Sequence, residues 1–239
     1  MDEIADTGSP GEGNHVFDVA AGNLDRVLED AGKKTARSHL LALAWSLRDA
    51  PGVGLALAEA AAERMKQGQH MDDDLVRDAV LTWQLTWSCY QESQFVLESS
   101  LRYLHATGDL LAQLVNSTLE LGLSEKACSL PAVLGSLPTL TGAGSAVGHC
   151  LRTLQDSPAY RYVADATNRM KHRSVLGVSI GARLGNDGEI TVGQHLPAFS
   201  HDDRRYAEEA PGDVREKAEE LQRLEADVLD ALRASIAAT

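Results

Sequence analysis

The feature that most constrains this chain is the stretch from Leu75 to about Leu121, which contains no proline and a single glycine, Gly108. Proline and glycine are the residues that most often interrupt a helix. Apolar residues recur in this stretch at three- and four-residue intervals, the period of one helix face. The positions that follow this period are Leu97, Leu101, Leu104, Leu111, Leu114 and Val115. The stretch therefore predicts either two helices or one long bent helix.

Helical periodicity also marks most of the remaining chain. The predicted helices cover about 16–31, 35–50, 53–67, 145–155, 157–173 and 214–236, and a short one lies between loops somewhere within 123–138. The last of these places Val214, Leu221, Leu224, Val228 and Leu232 on one apolar stripe.

One part of the chain has strand signals instead. Residues 174–184 and 189–196 are rich in β-branched and apolar residues, and they flank the turn sequence Gly-Asn-Asp-Gly at 185–188. This pattern predicts a β-hairpin. The run that follows at 201–203, His-Asp-Asp, is interpreted as a solvated loop or a cap before the last helix. The predicted fold is mainly α: a bundle of about seven helices with one β-hairpin before the C-terminal helix.

The predicted organisation has three parts. Residues 1–14 are acidic and rich in glycine and offer little to bury, so we expect a disordered tail. Residues 15–70 form an N-terminal helical addition, and 71–239 form the main helical domain.

Charge and cysteine content narrow the function classes. The chain has 22 basic and 35 acidic residues, a net charge of −13, which argues against broad nucleic-acid binding but not against a local basic site. The chain has three cysteines, an odd number that cannot all pair within it, and none of them has the spacing of metal ligands; they are Cys89, Cys128 and Cys150. We therefore expect free thiols in a reducing compartment. We expect no metal or cofactor. No apolar run approaches membrane-spanning length and the N-terminus lacks signal-peptide features, so a cytoplasmic location without membrane contact is expected.

The helix predicted at 157–173 carries an unusual polar strip. Tyr160, Asn168 and His172 descend one slowly turning line on a 3.6-residue period, with Thr167 and Lys171 beside it. Basic residues at its C-terminus are favoured by the helix dipole. The dipole does not account for Asn168, since asparagine is a poor mid-helix residue.

This strip resembles a known family. The pattern Tyr160-x7-Asn168-x2-Lys171-His172-Arg173, followed by a hairpin and a last helix, is similar to the HEPN-like superfamily, in particular to an uncharacterised bacterial branch of it. The upstream segment 103–116 is similar to that branch's helix with an Asp, here Asp109, followed by an aliphatic-Gln-aliphatic-Asn pattern. The resemblance covers about residues 80–239.

The resemblance implies a helical bundle that is often dimeric. Members with ribonuclease activity use an arginine and a histidine without metal: the histidine moves the proton and the arginine stabilises the charged transition state. His172 would be that histidine. Thr167 stands where the arginine is expected, so Arg161, Arg169 or Arg173 would have to replace it.

Three functions are compatible with these residues. The first is a non-catalytic, homodimeric protein that binds RNA, a nucleotide or a protein partner through the 157–173 helix. The second is a metal-independent ribonuclease of a toxin or phage-defence system, with His172 as general acid and base. The third is a purely structural interaction protein, in which Asn168 and His172 are buried in a hydrogen-bond network. The candidate binding residues are Tyr160, Asn168, Lys171, Arg173 and Asp109.

Overall fold

A computed structural model describes residues 12–44, 75–137, 143–172, 176–177, 179–184 and 190–238. Within these residues the chain forms seven helices and two antiparallel hairpins. In chain order the elements are α1 (Glu12–Asp30), α2 (34–44), α3 (Leu75–Leu119), α4 (Leu130–Ser136), α5 (Ala143–Asp156), α6 (Pro158–His172), β1 (Ser179–Leu184), β2 (Ile190–His195), β3 (Phe199–His201), β4 (Arg204–Tyr206) and α7 (Pro211–Ala237). The mainly helical fold predicted from the sequence is confirmed.

The proline-free stretch folds as one continuous helix of 45 residues, α3, rather than as two. Helix α1 begins at Glu12, four residues before its predicted start. The expected helix at 53–67 lies outside the described residues. Of the expected tail at 1–14, the last three residues belong to α1 and the first eleven lie outside the described residues. The predicted division between 15–70 and 71–239 stays a prediction.

The predicted hairpin is present as β1 and β2, which pair antiparallel in register from Ser179 opposite His195 to Leu184 opposite Ile190. A second hairpin, which the sequence analysis did not anticipate, pairs β3 with β4, Phe199 lying opposite Tyr206. The loop interpretation of 201–203 is therefore wrong for its first residue, because His201 ends β3. Asp202 adopts a left-handed φ of 49° in the tight turn between the two strands.

The chain packs as two compact units. The first unit contains α1, α2, α3 from Thr107, α4, α5, the start of α6 up to Tyr160, and α7 from Lys217. Its fully buried side chains include Leu24, Leu28, Leu40, Leu43, Leu111, Leu114, Val115, Val147, Leu151, Leu154, Leu221, Val228, Leu229 and Leu232. Phe17 is also buried in this unit, so its core is predominantly aliphatic, in keeping with the low aromatic content of the sequence.

The second unit contains α3 up to Ala106, α6 from Arg161, both hairpins, and α7 up to Glu216. Its buried residues include Leu97, Leu101, Leu104, Tyr162, Val163, Ala166, Leu196, Phe199 and Val214. The apolar periodicity of the long stretch thus predicted buried positions in both units.

The start of α6 follows directly from its sequence. The Ser157 hydroxyl accepts the Tyr160 backbone N–H at 3.1 Å, which satisfies one of the free donors of the first turn. Pro158 occupies the first helical position, where no N–H is needed. Together these two residues fix where the polar strip of α6 begins.

Gly108 of α3 is required by the close approach of Tyr160 in the first unit. A Cβ at this position would lie 2.6 Å from the Tyr160 hydroxyl oxygen and 2.9 Å from its Cε2. We expect Gly108→Ala to lower the free energy of unfolding by about 1 kcal/mol or more, because the cost of overpacking exceeds the gain in helix propensity. Urea denaturation measures this change.

Gly22 is the matched control, since it lies in α1 with nothing within 4 Å of an added Cβ. Gly22→Ala should stabilise the protein by about 0.5–1 kcal/mol through helix propensity alone. Equal stabilisation by both substitutions would contradict the close packing of Tyr160 on Gly108.

Candidate functional site

Thr167, at the position where the resemblance expects an arginine, is committed to packing in the second unit. Its side chain is buried, and its hydroxyl donates to the backbone carbonyl of Leu101 at 3.2 Å. It therefore joins α6 to α3 and presents no charge to a ligand.

The other predicted residues of the α6 C-terminus lie nearer the surface. Asn168 is half-buried, whereas Lys171 and His172 are exposed in the last turn. The hypothesis of a purely structural protein, which requires His172 to be buried in a hydrogen-bond network, is therefore wrong for His172. Arg173 lies outside the described residues.

The two arginines of α6 differ in their surroundings. Arg161 is exposed. Arg169 is half-buried, and its Nη1 donates to the Ser200 carbonyl of β3 at 3.1 Å. The helix thus carries two arginines and Lys171 against one acidic residue, Asp165.

Tyr160 and Asp109 belong to the first unit, whereas the α6 residues from Arg161 to His172 belong to the second. Burial, with smaller contributions from Asp109 and Glu225, raises the pKa of Tyr160 to about 12. Its ring packs on Gly108, which gives it a structural role in the interior. Asp109 is exposed.

Asn116, the last residue of the family-like pattern on α3, shapes the end of that helix. Its amide group donates to the Leu123 carbonyl at 2.9 Å and accepts the Leu123 N–H at 3.1 Å. Between these residues, Glu120 and Gly122 adopt left-handed φ values of 55° and 76°. Asn116 therefore secures the reversal of the chain after α3.

A buried polar group of the second unit that the sequence did not single out is Asp165, which has several partners among the described residues. Its side chain is only 4% exposed, yet Arg204 Nε and Nη2 donate to its two oxygens at 2.6 and 2.8 Å. The Tyr206 hydroxyl donates to Oδ2 at 2.6 Å, and His201 Nε2 lies 4.0 Å from Oδ1. Three residues of the β3–β4 hairpin therefore surround one carboxylate of α6; we call these four residues the Asp165 cluster.

Aromatic packing supports the Asp165 cluster from within the unit. The rings of Phe199 and Tyr206 stack with centroids 4.6 Å apart, and Tyr162 meets both edge-on at 5.5 and 5.4 Å. Burial, followed by the bond to Asp165, raises the pKa of Tyr206 to about 12. The Tyr206 hydroxyl consequently remains a donor over the whole physiological range.

A second buried acid, Glu225, lies in the first unit on α7. Its Oε1 accepts the Thr107 hydroxyl at 2.8 Å, whereas its buried Oε2 has no hydrogen-bond partner in the structure. Burial raises the pKa of Glu225 to about 8, although the Thr107 bond acts in the opposite direction. The side chain is therefore predominantly uncharged at neutral pH.

The burial of both acids, Asp165 and Glu225, could have been predicted from their positions in the sequence. Asp165 follows Tyr162 by three residues, and Glu225 lies four after Leu221 and three before Val228, so each sits on an apolar stripe. An acid at such a position requires a buried partner or a shifted pKa.

The described residues contain no group of three or more His, Cys, Asp or Glu side chains arranged to hold a metal ion. Nor does any helix among them combine the length and apolarity needed to cross a membrane. A surface pocket of about 570 Å³ in the first unit is lined in part by His149, Arg152, Asp156 and Glu220. Its charges are of both signs and do not define a ligand.

Comparisons with protein-family models, with curated proteins and with solved structures find no match to this chain. The HEPN-like resemblance accordingly stays a prediction drawn from the motif.

Proposed function

We propose that this chain is a non-catalytic, RNA-binding helical protein that contacts phosphates through the exposed basic side of α6. The observation that carries the proposal is the charge distribution on this helix. Its single acid, Asp165, is buried and paired with Arg204, whereas Arg161, Lys171 and His172 are exposed. The exposed surface of α6 is therefore basic in a chain whose net charge is −13.

The local charge favours a polyanion over other partners. Cationic side chains near phosphates release condensed counterions, which is the main source of RNA affinity. The acidic remainder of the chain repels phosphates, so binding should be restricted to this surface. A ligand with several phosphates can contact Arg161, Lys171 and His172 together, so it gains more binding free energy from this surface than a single nucleotide does.

A non-catalytic role is supported by Thr167, which occupies the position where the ribonuclease motif has an arginine. Its hydroxyl is bonded to the Leu101 carbonyl inside the unit. The described arginine nearest to His172 in sequence, Arg169, is held by Ser200 of β3. No described side chain thus supplies the arginine at the motif position that the ribonuclease mechanism requires.

Fluorescence anisotropy with a labelled single-stranded RNA oligonucleotide tests the proposal. We expect Lys171→Gln/His172→Gln to weaken binding by about 5- to 20-fold and to reduce the salt slope by about one phosphate contact. The matched control is Arg223→Gln/Arg233→Gln, which removes two exposed basic residues from α7 and should leave the affinity within about twofold.

The same samples, incubated in EDTA and run on a denaturing gel, test the alternative activity. Shortened RNA with the wild type but not with a folded His172→Ala variant would replace this proposal by the ribonuclease. Equal losses in the two double variants would mean that α6 is not the binding surface. Light scattering on the same samples tests the homodimer, which the resemblance implies and which we retain as part of the proposal.

A further inference from the structure

Arg204 of β4 is held in a geometry that suits phosphate binding. Its Nε and Nη2 donate to Asp165 in a two-point arrangement that fixes the plane of the guanidinium group. The side chain nevertheless remains 49% exposed. The Nη1 edge of the group is not used by Asp165.

We propose that Arg204, oriented by Asp165, binds a backbone phosphate of the RNA and so extends the site from α6 onto the β3–β4 hairpin. This inference rests on the proposed function and names a further binding residue for it. Arg204 would be a contact residue, and Asp165 a positioning residue that acts through it.

The pairing with Asp165 lowers the entropic cost of such a contact. A free arginine loses up to about 2 kcal/mol of rotamer entropy when it is ordered on a ligand. Arg204 is already ordered, because a nearly buried carboxylate holds one edge of its guanidinium. A phosphate that approaches the other edge therefore meets donors in fixed positions.

Arg169 strengthens the positive potential of the same surface. It extends from α6 to the Ser200 carbonyl of β3, whose partner in the β3–β4 ladder is Arg205. Together, α6 and the hairpin residues 199–206 contain five Arg or Lys residues against three Asp.

Two of those three acidic residues lie close to Arg204 and repel a phosphate that approaches it. Asp202 and Asp203 are exposed in the turn beside Arg204, and Asp202 lies 3.8 Å from His201 Nε2. Their charge is screened by salt, whereas a direct contact between a guanidinium and a phosphate is much less so. The contribution of Arg204 should accordingly be a short-range contact rather than long-range attraction.

The test compares charge-conserving substitutions at neighbouring positions of β4. Arg204→Lys keeps the charge but loses the planar fork, and we expect it to weaken binding of the RNA oligonucleotide about five- to tenfold. Arg205→Lys is the matched control, since Arg205 is exposed and its side chain forms no hydrogen bond or ion pair with the residues that the structure describes. It should leave the affinity within about twofold.

Loss of stability in the second unit could imitate this effect, and Leu196→Val controls for it. Leu196 is buried next to the β3–β4 hairpin, so this variant removes a buried methylene group and changes no member of the Asp165 cluster. Binding is measured below the unfolding temperature of every variant, and a wild-type affinity is expected for Leu196→Val. If Leu196→Val weakens binding as strongly as Arg204→Lys, the role of Arg204 is structural and the inference is overturned.

The outcomes also separate this inference from the proposed function. Wild type that does not bind the oligonucleotide overturns both. Wild type that binds, with Arg204→Lys at the same affinity, overturns the inference alone. If inorganic phosphate at millimolar concentration displaces the RNA completely, the site recognises a free phosphate and not the RNA backbone.

Discussion

Glu225→Gln should make the protein more stable at neutral and alkaline pH, and this is one of the two largest effects that we expect. Glutamine reproduces the shape of the uncharged acid and can still accept the Thr107 hydroxyl. Because it does not ionise, it removes the free-energy cost of keeping a carboxylic acid protonated in the interior. Urea denaturation at about pH 5, 7 and 9 measures the difference.

The pH dependence follows from the pKa of Glu225, which burial raises from 4.5 to about 8. A raised folded-state pKa gives a stability contribution that is complete below about pH 4.5 and is lost as the pH rises through about 8. The slope is about 1.4 kcal/mol per pH unit across this window. Relative to wild type, the variant should gain about 3 kcal/mol at pH 7 and about 5 kcal/mol at pH 9.

Glu216→Gln provides the control for this prediction, since Glu216 lies on the same helix and is exposed. Its stability should follow the wild-type pH profile within about 0.5 kcal/mol. A Glu225→Gln profile that also parallels wild type between pH 5 and 9 would mean that the acid ionises in the folded state as readily as in the unfolded chain.

The helices could be predicted from the sequence because their information is local. The period of Leu97, Leu101 and Leu104 needs no knowledge of the partner surface, and all three are buried. The turn sequence at 185–188 likewise marks the first hairpin through its own preferences. Whether the long stretch forms one helix or two could not be decided, because Gly108 permits either and the packing of Tyr160 is a tertiary contact.

The residues of the candidate site were harder to predict because their pairing is long-range. Asp165 and Arg204 are 39 positions apart, and Thr107 and Glu225 are 118 apart. Periodicity places each acid on an apolar stripe but does not identify its partner. The strands of the second hairpin have only three residues each, too few for a clear alternation.

Removing Arg204 should destabilise the protein more than removing Asp165, although the two residues form one ion pair. Arg204→Ala leaves a carboxylate that is only 4% exposed without its main counter-charge, and we expect a loss of about 3–5 kcal/mol. Asp165→Ala leaves an arginine that is half exposed and can be hydrated. That variant should lose about 1–3 kcal/mol, which includes the unsatisfied Tyr206 hydroxyl. Urea denaturation measures both losses.

The double variant Asp165→Ala/Arg204→Ala tests this explanation directly. Since it removes the buried charge together with its partner, it should be more stable than Arg204→Ala alone. Additive losses would show that the two side chains contribute independently. If the two single variants lose the same free energy of unfolding, Asp165 is hydrated when Arg204 is absent. Burial of the Asp165 carboxylate would then not explain the strength of the contact between α6 and the hairpin.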